Sequence, residues 1–214
     1  MYRVLFLLSL FGSHVVGFTQ TTGTLTDLRD GQTYKIVTIG SQIWMAENLN
    51  FQTSSSWCYG DSTINCVAYG RLYTWEAALT ACPDKWHLPS DEEWKILEQY
   101  LGMTQEESNI FLYRGEGIGD KLKSESGWEY NNYEDYKYNT VGFNALPAGF
   151  RLFTDGSFVE KGKSGRWWSS TTEVWEGATY AFRRCIYSDK NGIDRDAATR
   201  SLGFSVRCIK NVTR

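Results

Sequence analysis

The chain has little from which to build the commoner catalytic or metal centres. It carries two histidines in 214 residues, His14 and His87. His14 falls in an N-terminal stretch that reads as a leader, so no Ser-His-Asp set is available once His87 has a structural role. With no Cys-x-x-Cys and one remaining histidine, a zinc site is excluded. Positive charge is not in surplus: 22 Lys and Arg stand against 25 Asp and Glu, a net charge of −3. A nucleic-acid partner therefore drops away. Three prolines, and glycine without a period, exclude collagen-like and proline-rich designs. What is present is 42% hydrophobic and 22% charged residues, ordinary for one globular domain. The unusual figure is 15% aromatic content, with nine tryptophans and thirteen tyrosines. Such side chains either fill a core or form an adhesive surface for sugars and proteins.

Residues 1–17 read as a secretory signal peptide: one Arg, an apolar run over 4–11, and the small residues Val15 and Gly17 at the cleavage positions. The run is shorter than the roughly 20 residues a membrane span needs. No later segment is apolar enough to span. No cysteine follows the run, so no lipobox is expected and the mature chain reads as secreted, periplasmic or outer-surface associated. Residues 18–23 form a short N-terminal segment, and 24–211 one domain. Export makes the five cysteines a disulfide question. Cys58 and Cys66 enclose a turn-rich stretch that closes easily. Phe204, Val206 and Cys208 share one strand face, which reads as core, whereas Cys185 shares a mixed face with Ala181, Arg183 and Tyr187. Cys82 is therefore paired with Cys208, and Cys185 is left as a free thiol.

Along the domain, residues 33–39 and 42–45 read as a hairpin turning at Gly40-Ser41. Residues 72–82 have helical spacing at Leu72, Trp75, Ala78 and Leu79. Ser90-Asp-Glu-Glu93 is a capping box that starts a helix carrying Trp94, Leu97 and Leu101 and ending near Gly102. The acidic pair Glu92-Glu93 lies in its first turn, where acids suit the helix dipole, so it is read as structure and not as a glycosidase pair. Thr104-Gln-Glu-Glu107 starts a short helix in the same way. Residues 115–165 lack a period and read as short strands and ordered turns. Trp167-Trp168, 179–187 and 202–209 read as late strands. The order predicts an α+β domain with small mixed or antiparallel sheets, two main helices and long irregular loops.

Seven phrases carry a family resemblance. They are Asp30-Gly-Gln-Thr-Tyr-Lys35, Gln42-Ile-Trp-Met-Ala-Glu-Asn-Leu49, Tyr69-Gly-Arg-Leu-Tyr-Thr-Trp75, Cys82-Pro-Asp-Lys-Trp-His-Leu-Pro-Ser90, Gly142-Phe-Asn-Ala-Leu-Pro-Ala-Gly149, Trp167-Trp-Ser-Ser-Thr171 and Gly203-Phe-Ser-Val-Arg-Cys208. Over about residues 24–211 the chain resembles the Fibrobacter succinogenes major paralogous domain of exported and lipoprotein chains of Fibrobacter and Bacteroidota. The resemblance implies a C-type lectin-like fold distantly related to the formylglycine-generating enzyme. It also implies the pairs Cys58–Cys66 and Cys82–Cys208. Many relatives carry a lipobox, which this chain lacks.

The enzyme relatives use a close pair of reactive, copper-binding cysteines, and Cys185 has no such neighbour. No catalytic residue is therefore expected, and no copper-dependent oxidase activity. The acidic stretch Asp189, Asn191, Asp194 and Asp196 is a weak calcium candidate: its oxygen ligands suit calcium, but Gly192 is misplaced for an EF-hand loop, and the sugar motifs of calcium-dependent lectins are absent. No cofactor is otherwise expected. Trp44, Trp75, Trp86, Trp94 and Trp167 read as core. Trp168, Trp175, Tyr180, Arg183, Tyr187, Asp189, Asn191 and Arg195 gather in the late region that lectin-like folds expose, and are the expected ligand face. Flat rings stack on sugars or pack on proteins, and Arg, Asn and Asp add directional hydrogen bonds. The chain is thus expected to be an exported, non-catalytic binding or adhesion module for polysaccharide or a surface protein. The competing expectations are a structural part of an envelope or secretion complex and, disfavoured by the missing cysteine pair, an enzyme of the formylglycine-generating type.

Overall fold

The computed structural model describes residues 21–129 and 138–211. The leader, residues 18–20 and part of the irregular centre lie outside them. The chain opens with β1 (Thr22–Thr26), β2 (Thr33–Ile39) and β3 (Gln42–Met45), then β4 (Ser56–Trp57), α1 (Thr63–Tyr69), β5 (Leu72–Tyr73) and α2 (Trp75–Ala81). There follow β6 (Trp86–His87), α3 (Asp91–Tyr100), α4 (Gln105–Asn109), β7 (Leu112–Arg114) and α5 (Ile118–Leu122). The late part holds β8 (Phe150–Arg151), β9 (Phe158–Val159), β10 (Ser164–Trp175), β11 (Ala178–Tyr187), β12 (Ile193–Ala198), β13 (Phe204–Ser205) and β14 (Ile209–Lys210). One sheet has the order β1-β2-β3-β14-β6, a second β4-β5-β13-β10-β11-β12-β7, and β8 pairs with β9. All pairs are antiparallel except β10 with β13, which meet in parallel at Trp167 and Ser205. This is the α+β architecture expected from the sequence, tied by Cys58–Cys66 and Cys82–Cys208. The second bridge holds the end of α2 beside the last strands. Cys185 is free and buried.

Local sequence explains most of these elements. The β2–β3 hairpin turns at Gly40, whose φ is +59° and where a Cβ would stand 2.8 Å from the Tyr100 ring. Ser90 and Glu93 form the expected capping box on α3, and Thr104 caps α4 by accepting from the Glu107 amide. The helix read from residue 72 begins later. Leu72 is a strand residue, and Thr74 caps a helix whose first residue is Trp75. Leu79, placed on the buried face by spacing, is 42% exposed. α1 lies between Cys58 and Cys66 and runs on past Cys66, through a stretch read as turns.

Two apolar cores flank the long strand β10, and its alternation serves both. Trp167 packs with Trp44, Trp94, Leu97 and Phe143 on the α3 side. Trp168 points the other way, among Tyr73, Trp75, Phe204 and Val206. Its indole stands 4.3 Å from the Phe204 ring and donates to the Tyr73 carbonyl at 2.8 Å. Trp168 is fully buried, which corrects its placement on the ligand face. The expectation placed Trp168 in an exposed late region; here it sits in a strand with both faces covered.

Candidate functional site

Between Trp168 and Thr172 the β10–β11 ladder breaks register, and the three residues between are held by other elements. The Trp75 indole donates to the Ser169 carbonyl, the Ser170 amide donates to the Pro89 carbonyl, and the Thr171 hydroxyl accepts from the Asp91 amide. Such a bulge bends the strand and re-aims the residues beyond it. The hairpin then runs outward to a two-residue turn, Glu176-Gly177, with φ of +50° and +79°, closed by the pair Trp175–Ala178. Positive φ at both positions marks the type I′ turn that matches strand twist.

A cleft of about 370 Å³ lies against this hairpin, lined by Phe111, Glu173, Val174, Trp175, Tyr180 and Asp196, with Ala197. Glu173 faces Tyr180 across the pair, so Glu173, Trp175, Tyr180 and Phe182 share one sheet face. Phe111 lies 5.6 Å from Phe182. Trp175 is 69% exposed. Among the other eight tryptophans seven are buried, and Trp57 is half-buried beneath the Arg151 guanidinium.

The same face continues down into a buried ion network that fixes the hairpin. Arg184 donates to Glu98 at 2.6 Å and to Asp91 at 2.7 Å, both on α3. Arg195 grips the Asp91 carboxylate with two nitrogens, and Arg114 donates to Glu98 at 2.7 Å. Burial alone would lift the Asp91 carboxyl, but hydrogen bonds from Arg195 and the charge of Arg184 hold it well below the usual carboxylate range. Burial pushes the Arg114 guanidinium down to about 10. The Arg195 plane also lies 4.7 Å from the Phe111 ring and 4.4 Å from that of Phe182. Network and cleft therefore share one guanidinium, which seats the aromatic floor on a charged layer.

The expected ligand face is divided. Trp175 and Tyr180 line the cleft. Arg183 and Arg195 are buried, Arg183 between Asp196 at 2.9 Å and Asp194 at 3.6 Å. Tyr187 donates to Asp194, and Lys190 lies over its ring. Asp189 and Asn191 line a separate cavity of about 360 Å³ with Tyr113, Asp120, Lys123, Ser188 and Lys190. There the Asn191 side chain accepts from the Tyr113 hydroxyl at 2.7 Å. The calcium quartet is thereby split. Asp194 and Asp196 belong to a strand rather than a loop, and Arg183 already sits between them. Among the described residues no group of three or more His, Cys, Asp or Glu could hold a metal ion.

Two other reactive types are accounted for. Burial pushes the Cys185 thiol up to about 11, away from the thiolate that nucleophilic chemistry needs. His87 is held by Glu93 at 2.8 Å and Asn211 at 2.6 Å, joining the start of α3 to the end of β14. Sequence reading missed Phe111. Its signal was the run Ile110-Phe-Leu-Tyr113, four large apolar residues that are all at least 43% exposed.

A family model described as Fibrobacter succinogenes major domain matches residues 37–210. No curated protein and no solved structure matches the chain.

Proposed function

We propose a binding function for this chain, which belongs to the Fibrobacter succinogenes major domain family. The proposed role is an exported, non-catalytic binding or adhesion module, recognising polysaccharide or a surface protein through the cleft at the β10–β11 hairpin. One observation carries the reading. In a chain that buries or half-buries every other tryptophan, Trp175 stands 69% exposed on the rim of an aromatic cleft. Leaving so large an apolar side chain in water forgoes about 2 kcal/mol of burial, which a ligand would recover. Export is supported by the two disulfides, which persist in oxidising compartments. No helix among the described residues is long and apolar enough to cross a membrane. We read the fold as a C-type lectin-like branch, on the strength of its small sheets, irregular loops and a terminal strand, β14, docked between β3 and β6.

The test is a glycan and extracellular-matrix array probed with the mature protein and with Trp175→Ala. Binding should fall by about 1–3 kcal/mol, as for aromatic anchors generally, with the melting temperature unchanged. A melting point lowered by several degrees with every array signal intact would place Trp175 in the fold and end this reading. A second reading has its own observation. Ile110, Phe111, Leu112 and Tyr113 are exposed on β7 and just before it, at the edge of the seven-stranded sheet, and an apolar edge suits assembly into an envelope complex.

A further inference from the structure

The charge of the cleft narrows its ligand. Glu173 lines it half-buried, and Glu176 stands exposed at the turn beside Trp175. Neither carboxylate has a hydrogen-bond or ion-pair partner among the described residues. The neighbouring guanidiniums cannot neutralise them, because Arg183 is engaged by Asp194 and Asp196 and Arg195 by Asp91. The third carboxylate, Asp196, is satisfied by Arg183 and by the Ala197 amide. The uncompensated charge of the cleft lining is therefore negative: Glu173 lines it together with Trp175, Tyr180 and Phe111, and Glu176 follows Trp175 at the turn.

Aromatic faces and an unpaired carboxylate are complementary means of holding one chemical group, a cation. The rings attract it through their quadrupoles and the carboxylate through a charge-assisted hydrogen bond. A neutral sugar would leave Glu173 partly desolvated without a charged partner, and an anionic polysaccharide would be repelled. Resting on the binding reading above, we propose that the cleft takes a lysine or arginine side chain presented by an extended, basic segment of a partner protein. The guanidinium or ammonium lies among Trp175, Tyr180 and Phe111, and Glu173 and Glu176 pair with it or with a neighbouring basic residue.

The test uses the disulfide-intact mature chain and a labelled peptide, Gly-Lys-Gly-Arg-Gly-Lys-Gly, followed by fluorescence anisotropy at rising salt. Its glutamate counterpart and a neutral cello-oligosaccharide are compared. The basic peptide should bind and the acidic one should not. Trp175→Ala should weaken binding at least tenfold. Glu173→Gln with Glu176→Gln should weaken it similarly, and salt should weaken the wild type but not that double variant. A charge-matched control, Asp61→Asn with Asp84→Asn outside the cleft, should change affinity less than twofold. Circular dichroism confirms that each variant is folded. If the control matches the glutamate pair, the attraction is general and the proposal is overturned. If the oligosaccharide binds, is lost with Trp175→Ala and ignores the glutamate pair, the cation reading falls while the binding reading stands. If Trp175→Ala changes no interaction at all, both fall.

Discussion

One hairpin contains two environments. Its proximal half, Ser164 to Trp168 against Arg183 to Tyr187, is mostly buried, with Trp168 fully enclosed. Its distal half, Thr172 to Trp175 against Ala178 to Ala181, is mostly exposed, and it carries Trp175 and the unpaired Glu173. The ladder is continuous in hydrogen bonding on either side of the bulge, so the difference is not one of secondary structure. It comes from what covers each half. α2, α3 and β13 close over the proximal half, and the bulge at 169–171 turns the rest out beyond them. A doubly covered base beneath an uncovered tip would let the proposed binding group stand clear of the groups that stabilise the fold.

The largest contrast between base and tip should lie in their tryptophans. Trp168→Ala should destabilise the fold by about 3–5 kcal/mol, the range for a buried tryptophan, whereas Trp175→Ala should stay within about 0.5 kcal/mol, as for exposed positions. Urea denaturation of both variants checks it, and similar midpoints would erase the distinction. Arg184→Ala should cost less, about 1.5–3 kcal/mol, because Asp91 and Glu98 each lose a buried charge-assisted hydrogen bond but keep Arg195 and Arg114 as partners. If the network positions the hairpin, the loss should also appear as faster amide exchange in β11 and β12.

How much of this was legible depended on which forces were local. Capping at Ser90 and Thr104, the β2–β3 hairpin and the faces of Phe204, Val206 and Cys208 are set by near neighbours, and each could be read directly. Trp168 could not, since its burial depends on elements from Tyr73 to Phe204 folding over it. Arg183 and Arg195 looked like surface recognition groups because chain pairing decides which carboxylates meet them: Asp196 reaches Arg183 through the β11–β12 register, and Asp91 lies 104 residues from Arg195. Trp175 was legible as exposed from Glu173, Glu176 and Gly177 around it. Its setting, a strand end and turn rather than a loop, was not.

The Cys82–Cys208 bridge separates the two halves again. It anchors α2 to the strand that follows β13, on the proximal side, across 126 residues. Replacing both cysteines with alanine should cost about 2–5 kcal/mol, read as a lower thermal midpoint, while binding at the tip of the folded variant should be preserved. Equal losses of stability and of affinity would show that base and tip are one cooperative unit.

A smaller effect is the pH dependence at His87. The hydrogen bond to Glu93 raises its pKa, and that to Asn211 adds to it. A raised folded pKa gives stability that is fully present below the ordinary imidazole value of about 6.5 and is lost as pH rises through the folded value. Burial acts to raise the Glu93 carboxyl, but the bonds from His87 and Ser90 outweigh it and lower its pKa. That contribution is therefore present above its ordinary range and is lost in acid. The wild type should lose stability on moving from pH 6 to 9, and His87→Gln should flatten that slope. An unchanged slope would remove His87 as its cause. Binding at the distal cleft should not follow this titration.

The smallest change reaches the tip itself. Glu176 occupies a left-handed position, φ +50°, that asparagine adopts at lower cost in a type I′ turn. Glu176→Asn should therefore raise stability by about 0.5 kcal/mol, measured as a higher urea midpoint with the same slope. It also removes one of the two unpaired carboxylates, so affinity for the basic peptide should fall several-fold in the same variant. Stability and binding then move in opposite directions at one residue, which a purely structural tip would not show. If Glu176→Asn raises stability and leaves peptide affinity intact, the glutamate is only a costly turn residue, and Glu173 alone must supply the charge. If stability falls instead, Glu176 makes a supporting contact in solution, and the tip is not the independent unit that the comparison with the base describes.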